Sequence, residues 1–186
     1  MRVITGTARG RRLREPEGLD IRPTAARVKE GVFSALQFDI EGRRVLDLFA
    51  GTGQLGIECL SRGAAFAVFV DGNPRALETV RANLKATGLA DRAAVRAGDA
   101  LTWLEGTRER FDLIFLDPPY AGDLLAQALD RLAAFDILKP HGIIVAEHPA
   151  GKALPEPRFR CRRTYRYGKT AVSLYCREME DKDEHP

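Results

Sequence analysis

Residues Arg44 to Asn73 constrain this chain more than any other stretch. An apolar run, Val45 to Phe49, enters a turn that carries Gly51, Gly53 and Gly56. A helix-length segment follows, and a second apolar run ends in Asp71, 20 residues after Gly51. Strand, glycine turn, helix and acid-tipped strand together form the opening unit of a mostly parallel α/β sheet. Glycines let backbone approach a ligand closely, and a carboxylate at the tip of the second strand can hold two ribose hydroxyls. The segment therefore reads as a nucleotide-cofactor cradle. By pattern alone Gly51-x-Gly53-x-x-Gly56 also fits a dinucleotide fingerprint.

Asp47 separates the two readings. It sits in the strand end just before the turn, where a dinucleotide would place its pyrophosphate. A carboxylate there would repel that group in a low-dielectric pocket. S-adenosylmethionine carries an ammonium and a sulfonium, for which the same acid is an asset. The competing account of Asp47 is a turn cap that satisfies backbone N–H groups. The residues expected to meet the cofactor are Asp47, Phe49, Gly51, Gly53, Asp71, Gly72, Asn73, Asp99 and Ala100. Asp99 also suits the cap of a helix beginning near Leu101, and both roles are compatible.

A second constellation, Asp117-Pro118-Pro119-Tyr120, follows the apolar run Phe111 to Leu116. It is placed at the carboxyl end of a later strand, the edge where open α/β sheets bind ligands. Two prolines remove two N–H donors and stiffen the chain, leaving carbonyls free to accept. An exocyclic amine of a base is a poor nucleophile, because its lone pair is delocalised into the ring. Acceptors on Asp117 and the Pro118 carbonyl can hold its two hydrogens and turn the lone pair toward a methyl donor. Tyr120 can stack on the base, a contact worth roughly 1–3 kcal/mol. Alone, four such letters describe a rigid turn; after a strand and downstream of the cradle they point to methyl transfer. Asp117, Pro118 and Tyr120 are the expected catalytic set, with Pro119 against the substrate.

With these marks on the page the chain resembles a known family, the bacterial 16S ribosomal RNA guanine-N(2)-methyltransferases of the small-subunit methyltransferase D type. The shared segments are RVITGTARGRRL, RPTAARVKEGVFSAL (Arg22 to Leu36), DLFAGTGQLGIE, the acid of VDGNP, DPPY, and YGKT (Tyr167 to Thr170). They span Met1 to about Cys176. The resemblance implies a Rossmann-like class I fold and S-adenosylmethionine as donor. It implies methylation of N(2) of one guanine in the RNA of the small ribosomal subunit, free or assembled. It also supports a contact between Asp99 and the adenine amine. One departure is Gln54, where the family more often has a small residue; it bears on the packing of the helix start. Alternatives from the residues are the same chemistry on an adenine of DNA or RNA or on a protein amide, a nicotinamide oxidoreductase, and a non-catalytic RNA-binding module.

The remaining sequence is read around this centre. Strands are expected at Val45–Phe49, Phe66–Val70, Ala93–Ala97, Leu113–Leu116 and Ile143–Glu147. Helices are expected over about Gln54–Ser61, Pro74–Ala86, Leu101–Glu105 and Gly122–Phe135. A closing hairpin, Arg158–Arg166 and Ala171–Arg177, would set one antiparallel strand in the sheet. Residues 1–40 read as an extension: a hairpin of Val3–Thr5 with Arg11–Arg14, then a helix from Arg22 that puts Val28, Val32, Phe33 and Leu36 on one face. Residues 41–177 form the expected methyltransferase domain, and 178–186 an acidic, disordered tail.

Charge is uneven. Residues 152–177 hold eight Lys and Arg against Glu156, and residues 1–30 hold eight against four acids. Such clusters suit a phosphate backbone, although any single arginine is more simply a solvated side chain. Arg22, Arg27, His148, Tyr167 and Lys169 are the expected RNA contacts, each with a bland alternative: ion pairs, a structural histidine, a hairpin turn. No apolar run reaches the ~20 residues of a membrane span, and no secretory leader is evident. Cys59, Cys161 and Cys176 form no Cys-x-x-Cys, which suits a reducing cytoplasm and buried free thiols. No metal-ligand spacing occurs, so no metal is expected, and a monomer is the simplest state.

Overall fold

The structure, a computed structural model, describes residues 1–15, 26–119, 122–152 and 158–177. Seven strands form one sheet: β1 (Arg44–Leu48), β2 (Phe66–Asp71), β3 (Ala93–Ala97), β4 (Phe111–Leu116), β5 (Leu138–Pro149), β6 (Arg160–Tyr167) and β7 (Thr170–Cys176). Their order is β3-β2-β1-β4-β5-β7-β6. All neighbours from β3 to β5 are parallel, while β7 runs antiparallel to both β5 and β6. The fold is thus the α/β class expected, with β7 as the reversed strand.

Near-continuous apolar strands need cover on both faces. Val45, Ala67, Phe69, Leu113, Phe115, Ile143 and Val145 pack under α1 (Ala26–Ala35), α2 (Gln54–Ser61), α3 (Pro74–Thr87) and the amino-terminal segment. The alternate residues Leu46, Leu48, Val68, Val70, Ile114, Leu116 and Ile144 face α4 (Ala100–Gly106) and α5 (Leu124–Ala134). In α5 the buried residues Leu125, Ala128, Leu129 and Leu132 follow the helical period, and each fully buried leucine contributes about 1.5–3 kcal/mol. Asn73 caps α3 by accepting from the Arg75 N–H, Pro74 occupies its first turn, and Gly88 ends it at φ 71°.

The helix expected on Val28, Val32, Phe33 and Leu36 is α1, where Val28, Val32 and Phe33 are buried; Leu36 is buried in the turn just after it. Its expected start at Arg22–Thr24 lies outside the described residues, as does the acidic tail. The amino-terminal hairpin is reduced to one antiparallel bridge, Arg2 with Arg12. The reason is competition for donors: the N–H groups of Ile4 and Thr5 go to the Glu58 carboxylate of α2, at 2.8 and 3.0 Å, instead of a partner strand. β4 and β5 also begin earlier than the strands expected at Leu113 and Ile143, because Leu138 pairs with Phe111 ahead of an irregularity in the ladder. All three cysteines are free, yet only Cys59 is buried; Cys161 is exposed and Cys176 half-buried.

Candidate active site

The parallel strands diverge from β1, with β2 and β3 to one side and β4 and β5 to the other, so the topological switch point falls between β1 and β4. The turn after β1 and the Asp117 corner after β4 are therefore neighbours at the carboxyl edge. The turn is held in an unusual conformation. Phe49 has φ 69°, a strained value for an aromatic residue, and Gly53 has φ 74°. Gly56 faces the sheet so closely that a Cβ there would lie 2.4 Å from the Phe69 ring. Replacing it would push α2 away from β2.

Strand alternation puts Asp47 and Asp71 on the face covered by α1 to α3. Asp47 is buried, and its Oδ2 accepts the Gly56 N–H at 2.9 Å. The capping account of this residue is what the structure shows, and it leaves the carboxyl beside the turn. Burial raises its pKa to about 8, helped by the negative charges of Asp117 and Asp71. Asp71 braces the loop: Oδ2 accepts from the Gly51 N–H and Oδ1 from the Asn73 N–H, both at 2.8 Å. Gly72 lies beneath the Gly98 carbonyl. Asp99 caps α4 through Thr102, whose N–H and hydroxyl donate to Oδ1, and these bonds hold its carboxyl below the usual range. Ala100, the next residue, is buried.

Beyond β4, Pro118 is buried and Pro119 exposed. Tyr120 lies outside the described residues, and so does Arg22. A cleft opens on the β5 side of this corner, lined by Pro118, Pro119, Asp123, Glu147, His148 and Lys152. His148 lines the cleft, with both ring nitrogens within reach of partners. Its Nδ1 lies 3.1 Å from the Pro149 carbonyl, which can only accept, so Nδ1 carries the proton. Nε2 then accepts from the Ser173 hydroxyl at 2.9 Å, and Ser173 in turn lies 2.8 Å from the Thr164 hydroxyl. Burial lowers the ring's pKa, which keeps it neutral. Both nitrogens are thus engaged inside the sheet.

Thr170 pairs with Pro149, so the turn from Tyr167 to Lys169 reaches the same carboxyl edge. Lys169 is exposed there and Arg27 is exposed on α1. Tyr167 docks the hairpin on α1: a Cβ at Gly31 would fall 2.1 Å from its hydroxyl oxygen. Of the basic residues, Arg177 is tied to Asp136 and the Leu138 carbonyl, and Lys152 donates to the Gly122 carbonyl. Arg158, Arg160, Arg162, Arg163 and Arg166 remain on the surface.

Sequence reasoning missed the supports behind the turn. Asn83 of α3, fully buried, donates to the carbonyls of Thr52 and Arg14 and accepts the Arg14 N–H. Glu58 of α2, also buried, holds Lys29 at 3.0 Å and Arg62 at 2.9 Å. Their partners are distant in the chain, so no local pattern announces them.

Residues 1–176 match the model of the family described as conserved hypothetical protein 95. The chain belongs to that family. Among its relatives, YlbH of Bacillus subtilis, described as a candidate rRNA methyltransferase, is 42% identical over 94% of this chain and 98% of its own. Ribosomal RNA small subunit methyltransferase D of Escherichia coli is 33% identical over 97% of this chain and 91% of its own. The solved structure of a candidate methyltransferase, yhhF, from Escherichia coli superposes with a TM-score of 0.86 at 34% identity, covering 96% of this chain and 98% of that one.

The residues at the turn fit S-adenosylmethionine in two respects. The carboxylates offered are suited to a cationic ligand and to ribose hydroxyls. The Gln54 amide oxygen at the start of α2 is buried with no hydrogen-bond partner, as expected of an acceptor that a ligand completes.

Proposed function

We propose that this chain transfers a methyl group from S-adenosylmethionine to the exocyclic amine N(2) of a guanine in the 16S rRNA of the small ribosomal subunit. The observation that carries the reading is the proline-stiffened Asp117 corner beside the glycine turn at the switch point of the sheet. The methyltransferase names carried by relatives across nearly the whole chain support it.

The cofactor supplies a methyl group on a sulfonium, already a strong leaving group. The protein's share is therefore orientation and exclusion of water. Asp117 and the Pro118 carbonyl hold the two amine hydrogens, and Asp117 relieves positive charge as one proton departs. Asp71 holds the ribose hydroxyls through lone pairs not used by Gly51 and Asn73. Asp47 neighbours the cationic end, and Asp99 the adenine. Pro119, the neutral ring of His148 and Tyr120 wall the base, which must be splayed out of its RNA to enter. Arg22, Arg27, Tyr167 and Lys169 contact the surrounding RNA.

Labelled methyl donor, added to unmethylated small-subunit RNA and particles, should mark one guanine at N(2) by nucleoside mass analysis. A methylated adenine would replace this reading with the neighbouring one. Asp117→Ala should lose at least 100-fold in methylation, the scale of a lost positioning group. Its affinity for adenosylhomocysteine should be nearly intact. Full methylation by that variant would remove Asp117 from the mechanism.

A further inference from the structure

Gln54 occupies the first position of α2 and is 7% exposed. Among the described residues its Oε1 is the buried side-chain polar atom left without a partner. Native proteins pair such atoms, because a buried acceptor that gives up water for nothing carries an uncompensated cost. The direction of the side chain narrows what the partner is. Gly56, two residues on, faces the Phe69 ring and the sheet. Two residues are about 200° of helical turn, so Gln54 points away from the sheet, on the side of Glu58 one turn later. Helical Cα–Cβ bonds also tilt toward the amino terminus. For a first residue that tilt leads over the turn itself, toward the carboxyl edge. Thr52 in this turn sits 3.7 Å from the Met1 sulfur, which closes the space from the amino-terminal side.

Two complementary features thus meet at one point. The N–H groups of Gln54 and Leu55 precede any intrahelical acceptor, and the Gly53 cap supplies no side chain to bond them. They suit a carboxylate, while the orphaned amide oxygen beside them suits an ammonium. A carboxylate and an ammonium on one carbon are the terminus of a free α-amino acid. We infer that Gln54 is a cofactor-binding residue whose Oε1 accepts a hydrogen bond from the α-ammonium of the donor's amino-acid end. The inference rests on the adenosylmethionine reading of the site and adds a residue to it.

The test is calorimetric titration of the intact chain with two nucleosides, adenosylhomocysteine and 5′-methylthioadenosine, the second lacking the amino-acid end. Gln54→Met keeps the length of the side chain and removes the acceptor. It should weaken adenosylhomocysteine about tenfold, the scale of a hydrogen bond to a charged group, and leave 5′-methylthioadenosine unchanged. The unliganded variant should melt no lower than the parent, since no acceptor is left unpaired. Gln54→Ala provides the same comparison if the methionine variant fails to fold. Unchanged adenosylhomocysteine affinity, or equal losses for both nucleosides, would overturn the role of Gln54 and spare the proposed activity. A parent chain that binds neither nucleoside would overturn the activity and this inference together.

Discussion

Asp47 carries a proton at neutral pH because its site is dry and two acids stand near it. Its folded pKa of about 8 lies above the unfolded value of roughly 4. Between those values the folded chain binds the extra proton, so this residue makes stability fall as pH rises. Asp47→Asn keeps an acceptor for Gly56 and removes the titration. Its melting temperature should therefore gain on the parent steadily from pH 5 to pH 8. A parallel pair of curves would mean that Asp47 is ionised in the fold. A cationic ligand beside Asp47 should pull its pKa down and expel the proton. Titrations with adenosylmethionine near pH 7.5, in buffers of different ionisation enthalpy, should report proton release that is missing in Asp47→Asn. At this scale the sequence was informative about type and place. Asp47, Asp71 and Asp117 were legible because strand ends fix where they sit. The protonation of Asp47 was not, since it depends on burial of the carboxyl and on Asp117 and Asp71 gathering around it, against the opposing Gly56 N–H.

Among the elements, α2 is decisive, buried along its whole length between the sheet and the amino-terminal segment. Glu58 binds that cover through Ile4 and Thr5 and α1 through Lys29, and it also pairs with Arg62 at the end of its own helix. Glu58→Gln would leave the buried Lys29 ammonium without its counter-charge, at a cost of about 3–5 kcal/mol. Lys29→Met should cost less, because Glu58 retains Arg62 and two backbone donors. Urea unfolding checks the order, and amide exchange should rise at Ile4 and Thr5 in the glutamine variant. Equal stability of Glu58→Gln and the parent would refute a structural role for the cluster. The strands and helices of the core were legible from apolar runs, their alternation and the Asn73-Pro74 helix start. The amino-terminal hairpin was only partly legible: Val3 pairs with Arg11 as expected, while the donors of Ile4 and Thr5 are claimed by a glutamate 54 and 53 residues away. Local pattern cannot register such a competitor.

For the whole molecule, the proposal that RNA lies along β6 and α1 has an electrostatic signature. Arg158, Arg160, Arg162, Arg163, Arg166 and Lys169 are exposed near one another in the chain, and Arg163 stacks 5.0 Å over the Tyr165 ring. Affinity for small-subunit RNA should fall with salt, log K against log salt losing about 0.7–0.9 for each phosphate contact. Charge reversal at Arg162 and Arg166 should flatten that slope; an unchanged slope would move the RNA elsewhere. The basic ends were legible in composition, whereas the engagement of Arg177 with Asp136 was not, since the two are 41 residues apart. A last consequence concerns Tyr167, whose ring rests on Gly31 of α1. Gly31→Ala should destabilise by about 1–3 kcal/mol through overpacking, and much less when Tyr167→Ala is present, a coupling that urea titration of the double cycle reads. This clasp joins α1 to β6, a strand that follows it in the chain after five other strands. At 5–20 residues per second it cannot close until on the order of ten seconds after Gly31 is made. During synthesis α1 therefore waits without this cover until β6 has been made.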